Sequence, residues 1–159
     1  MMLDIAKQII DQRVNKILEE NPDLFQDTDV ERRRSKAFLL LGVAAYLDID
    51  IAEAVQFITD GGNEGGFDAA YIEEAQDSQL NVVLFQSKYS RKLNNDSNFP
   101  SNAVEKAVNT VKCVFDPAAH IQLNEKSREK VNEIRSFILD GHIPYVTFVM
   151  LNNGLTWNQ

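Results

Sequence analysis

Cysteine is almost absent from this chain: Cys113 stands alone among 159 residues, which excludes an internal disulfide or a cysteine-rich metal cluster. Histidine is nearly as scarce. His120 and His142 lie far apart and have no cysteine or acidic partner at metal-ligand spacing, so neither a zinc site nor a Ser/His/Asp triad can be assembled from the sequence. Long apolar runs are missing too. The longest, residues 37–47, covers 11 positions and includes Gly42, well short of the roughly 20 needed to span a bilayer. No basic-then-apolar leader opens the chain. Together with the lone cysteine, this gives the expectation of a cytoplasmic, reducing compartment and no membrane partner.

Positive charge is the minority sign. The formal net charge is −8, which argues against indiscriminate nucleic-acid binding by an overall positive field. The local balance is different. Between Asn81 and Cys113 stand Lys88, Arg91, Lys92, Lys106 and Lys112 against Asp96 and Glu105, an excess of three positive charges.

With 44% hydrophobic residues, the composition suits a globular domain with one core. Leu3, Ile9, Ile10, Val14, Ile17 and Leu18 recur at helical spacing and Asn21-Pro22 closes the run, predicting a first helix. Thr28 with Glu31 three residues on has the pattern of a capping box opening a second helix. Asp50 and Glu53 can cap a short third one, although residues 55–59 suit a short strand equally well. Residues 68–74 and 80–88 are rich in β-formers and flank the polar stretch 75–79, a hairpin pattern. A loop centred on Asp77 pairs Glu74 with Leu80, Ile72 with Val82, Ala70 with Leu84 and Asp68 with Gln86. Both faces of this hairpin are apolar near its middle, as in a sheet covered on two sides. Helices over residues 102–115 and 124–139, then a buried strand over residues 144–151, complete an α/β layered domain. The chain stops soon after that strand, with Trp157 near its end, which suggests one module of a longer protein with additional C-terminal domains.

Chemistry concentrates at Gly61-Gly62-Asn63-Glu64-Gly65-Gly66-Phe67-Asp68 and at Gln86-Ser87-Lys88. The glycines permit positive φ and close backbone approach, yet they form neither a Walker nor a dinucleotide fingerprint. Asp68 offers a charged oxygen and Gln86 a neutral one from the facing strand, about 5 Å away. A hard divalent cation takes such ligands. Lys88 follows Gln86 by two residues and shares its sheet face, about 7 Å along the strand. Its ammonium can hold a water or stabilise a phosphate. A register slip of one residue would put Asp68 on the opposite face.

At these residues the chain resembles the PD-(D/E)XK nuclease superfamily in its Gln-x-Lys variant. The wording from Thr59 through Ala69, then Leu84-Phe85-Gln86-Ser87-Lys88, is most similar to the amino-terminal domain of abortive-infection phage-resistance proteins. The resemblance implies a restriction-endonuclease-like core, a central mixed β-sheet flanked by α-helices in α-β-β-β-α-β order, over residues 28–159, with residues 1–27 as an N-terminal helical extension. It also implies a Mg²⁺- or Mn²⁺-dependent endonuclease acting on DNA. Asp68 and Gln86 would bind the metal and Lys88 would orient or activate the water. A homodimer would cut both strands in concert.

Two features depart from the family pattern. The inward part of the second helix has no acid, so Glu31 or Glu53 would have to substitute, and Gln86 replaces the commoner Glu. Glu64 can restore the missing charge at the metal. Arg91 and Lys92 are the expected DNA-backbone contacts, where each would add to salt dependence. The alternatives are a nuclease-fold module that binds DNA or docks other domains without cutting, and a protein-interaction domain with no nucleic-acid role.

Overall fold

The computed structural model describes residues 2–59, 66–90, 102–116, 118–119 and 122–153. They form a mixed α/β structure with five α-helices and a three-stranded mixed sheet. In chain order these are α1 (Met2–Glu20), α2 (Val30–Leu47), α3 (Ile51–Ala54), β1 (Ala69–Glu74), β2 (Gln79–Lys88), α4 (Asn102–Phe115), α5 (Glu125–Leu139) and β3 (Ile143–Asn152). None of the described helices is long and apolar enough to cross a membrane.

The chain divides into two compact units, one drawn from Met1–Gln56, Ser87–Phe99 and Met150–Gln159, the other from Phe57–Gln86 and Pro100–Val149. In the first, α1 packs on α2, and Val14 and Ile17 of α1 and Phe38, Leu39, Leu40 and Val43 of α2 are buried. The start of α2 corrects the expected capping box. Asp29, not Thr28, is the N-cap, and its carboxylate accepts from the Glu31 and Arg32 amides. A carboxylate also complements the helix dipole, which a threonine hydroxyl does not. Asp50 caps α3 as expected, accepting from the Glu53 amide at 2.8 Å. Residues Val55–Phe57 then continue as a 3₁₀ turn rather than a strand, and only Ile58 pairs, in an isolated antiparallel bridge to Ala69.

The second unit is organised by the β1–β2 hairpin. Over the ladder its register is the one that the loop centre at Asp77 predicts, with Ala70 facing Leu84, Ile72 facing Val82 and Glu74 facing Leu80, but the ladder ends at Ala69 and Phe85 and the expected pair of Asp68 with Gln86 is not part of it. The turn Gln76–Gln79 closes with a bond from the Gln79 amide to the Gln76 carbonyl. Its two central residues, Asp77 and Ser78, both have φ of 61°, the arrangement whose twist matches that of the flanking strands. One hairpin face carries Ala70, Leu80, Val82 and Leu84 into a core completed by Val114 of α4 and Val131 and Ile134 of α5. Val146 and Phe148 of β3 pack against that core. Asn124 caps α5 through the Ser127 amide, and the Arg135 guanidinium donates to the carbonyls of Cys113, Val114 and Asp116, closing the end of α4.

The strand order is β1-β2-β3. Because β1 and β2 are antiparallel in a mixed sheet, β3 runs parallel to β2. The bond from the Ile143 amide to the Ser78 carbonyl, start against start, agrees. A parallel neighbour requires a long crossover, and α4 and α5 supply it.

Candidate functional site

The regular β1–β2 ladder ends at Ala69↔Phe85. Bonds elsewhere on the hairpin, such as Ala75 amide to Gln79 carbonyl, set which residues point their backbone across it. Regular continuation would turn the Asp68 N–H away from β2. Instead it donates to the Phe85 carbonyl at 2.6 Å, one residue out of step, in the manner of a β-bulge. Asp68 therefore lies against the Phe85–Gln86 peptide, half-buried, at a kinked strand entrance rather than in a straight ladder.

Three non-local bonds hold that entrance. The Asp68 carbonyl accepts from the Thr59 amide at 2.9 Å, the Thr59 hydroxyl donates to the Phe67 carbonyl at 3.4 Å, and the Asn124 side-chain amide donates to the Thr59 carbonyl at 2.8 Å. Asn124 thus starts α5 with its oxygen and braces the Asp68 segment with its nitrogen. Sequence reasoning missed Thr59 and Asn124 as supports. The helix start near Asn124 was visible, but its second bond, 65 residues away, leaves no local signal.

Of the glycine-rich turn, Gly66 is the described member. Its φ is +76°, and a Cβ there would collide with the Thr110 side chain and approach the Lys106 carbonyl oxygen within 3.3 Å. Both the angle and the space demand glycine. Residues 60–65, with Glu64, and residues 91–101, with Arg91 and Lys92, lie outside the described residues.

Gln86 continues the inward face of Leu80, Val82 and Leu84 and is 8% exposed. Its Oε1 is buried with no hydrogen-bond partner among the described residues, an arrangement costing about 1–3 kcal/mol. An unpaired carbonyl oxygen is the type of donor a hard cation accepts. Lys88 is the last residue of β2 and exposed. Strand alternation puts it on the same face as Gln86. Glu31 and Glu53 are exposed in the first turns of α2 and α3; they belong to the first unit, as Lys88 does, whereas Asp68 and Gln86 belong to the second. No group of three or more His, Cys, Asp or Glu residues suited to a metal occurs among the described residues.

Immediately after Lys88 the chain is tied down within its own unit. The Tyr89 hydroxyl donates to Asp11 at 2.7 Å and accepts from Arg34 at 2.8 Å. Phe38 packs on the Tyr89 ring at 5.4 Å between centroids. Asn153, 1% exposed, accepts from the Ser90 amide at 2.9 Å and donates to the Ser90 carbonyl at 2.7 Å. Burial, followed by the bond to Asp11, raises the Tyr89 phenol above its ordinary value, with Arg34 pulling the other way.

No protein-family model matches this chain, and no curated protein or solved structure matches it at a significant level.

Proposed function

We propose that the chain is a metal-dependent endodeoxyribonuclease, with Asp68 and Gln86 as metal ligands and Lys88 at the reacting phosphate. The observation that carries the proposal is the buried Oε1 of Gln86, without a hydrogen-bond partner among the described residues, on the strand whose Phe85 carbonyl binds the Asp68 amide and whose end bears Lys88. The element order adds support. Counting the Ile58 bridge to Ala69 as a stub of strand, the described chain runs helices, three pairing segments, helices, strand, which is compatible with the restriction-endonuclease-like order.

Asp68 would supply charge and Gln86 a neutral oxygen to Mg²⁺ or Mn²⁺, with Glu64 as a further acid. When bound, such an ion polarises a phosphoryl oxygen and lowers the pKa of a coordinated water. The Lys88 ammonium would hold the attacking water by one N–H and stabilise charge growing on the phosphate. Hydrolysis forms one bond from water oxygen to phosphorus and breaks the bond to the leaving sugar oxygen, which takes up a proton. Arg91 and Lys92 would contact the backbone. By resemblance the setting is defence against phage or other foreign DNA.

A plasmid assay with Mg²⁺ or Mn²⁺ tests this. Cleavage by the wild type should be lost in Asp68→Ala and in Lys88→Ala, with folding retained. Cutting that survives both changes overturns the proposal. The shortage of clustered acids among the described residues favours a second proposal, a module that binds DNA without cutting; salt-sensitive DNA binding with no cleavage in either metal would select it.

A further inference from the structure

The two edges of the sheet are treated differently. Beyond β1, the bridge from Ile58 to Ala69 occupies part of the edge, and the strand ends in the exposed acids Glu73 and Glu74. Charged residues, proline and a covering segment are the usual means of keeping an edge from recruiting another strand. Strand β3, Ile143–Asn152, contains no charged residue. Ile143 and Tyr145 are 60% and 57% exposed, and Thr147 on the same face is exposed as well.

The direction of the backbone groups follows from one bond. The Ile143 amide donates to Ser78 on the β2 side. In a parallel strand, the N–H and C=O of one residue point the same way and alternate along the chain. Residues 144, 146 and 148 therefore aim away from β2. The one proline of the strand is Pro144, at an outward position; its missing N–H takes nothing from the sheet but leaves that position without a donor, so pairing on this edge would run from Val146 onward. The Val146 and Phe148 amides point outward while their side chains pack on the core.

We propose that this edge is a self-association surface, on which a second copy of the chain adds its own β3 antiparallel across a two-fold axis. An identical strand is the occupant that the charge pattern favours. Antiparallel self-pairing places each side chain opposite or beside others of the same strand, so any charge on it would meet its like. In a chain of net charge −8, the uncharged β3 avoids that penalty. The contact is isologous and closes on itself. The exposed Tyr145 and Ile143, with Leu139 at the end of α5, give each copy apolar surface at the same end of the strand. The proposal does not depend on nuclease activity.

Sedimentation and amide exchange on the full chain test it together. The wild type should be a dimer at tens of micromolar, and the Val146 and Phe148 amides should exchange more slowly as concentration rises. Thr147→Lys and Tyr145→Lys change exposed side chains, and each should weaken dimerisation by about tenfold or more while circular dichroism stays native. A monomeric wild type overturns the proposal and leaves the edge to a strand from another protein. A dimer indifferent to both lysines, with concentration-independent exchange at Val146 and Phe148, overturns it equally, because the interface then lies elsewhere.

Discussion

The amide of Asp68 donates to the carbonyl of Phe85 rather than continuing the ladder towards Gln86. The strand entrance is thereby kinked at the one acidic residue of the candidate site that the structure describes. Bulges re-aim side chains at strand ends, and this one is braced by Thr59 and Asn124 rather than by the hairpin itself.

Gln86 tests whether its orphan oxygen is kept for a ligand. Replacing a buried unsatisfied polar group with an apolar one of similar shape is neutral or stabilising, by up to about 1–2 kcal/mol. Gln86→Met should therefore melt at or above the wild-type temperature in EDTA. It should also lose any upward shift that Mg²⁺ or Mn²⁺ confers on the wild type. A variant that melts well below the wild type in EDTA would show that the amide is structurally required.

The turn at Asp77-Ser78 holds two non-glycine residues at positive φ. Ser78→Gly should raise stability by roughly 0.5–1 kcal/mol, since glycine adopts this conformation without a Cβ penalty. The Ser78 carbonyl that receives Ile143 is untouched. Urea denaturation measures the change.

Gly66→Ala should destabilise by about 1–3 kcal/mol, combining the positive φ with overpacking against Thr110. The double variant with Thr110→Ala, which removes the Oγ1 that the new Cβ would meet, should recover only part of the loss, because the backbone strain and the Lys106 carbonyl remain. Recovery to wild-type stability would assign the whole cost to side-chain crowding.

Tyr89 makes stability depend on alkaline pH. Its phenol is raised above 10.0 in the fold, chiefly by burial, so the neutral form is favoured there. That contribution is fully present below the unfolded value near 10 and is lost as pH rises through the higher folded one. Tyr89→Phe should flatten the fall in stability above about pH 10, at the expense of the bonds to Asp11 and Arg34, roughly 1–2 kcal/mol at neutral pH. Parallel pH curves for the two proteins would refute the assignment to Tyr89.

The hairpin register was legible in the sequence because two short-range facts determine it: alternation with period two, and a polar loop whose centre sets every facing pair. Helices α1, α4 and α5 were legible for a similar reason, through apolar spacing and stop signals within a turn or two. The capping of α2 was misread between adjacent residues, because Thr28 and Asp29 can both cap and only the backbone path selects one. Other features depended on contacts between distant segments. These include the kink that turns the Asp68 amide onto Phe85, the clamp of Asn153 on Ser90, the glycine demand at Gly66 against Thr110, and the outward aim of the Val146 and Phe148 amides. Sequence by itself determined how the hairpin pairs and where helices α1, α4 and α5 start and stop; only the tertiary structure decided where Asp68 leaves the ladder and, among the described residues, which strand lies at the far edge of the sheet, since each depends on bonds to segments tens of residues away.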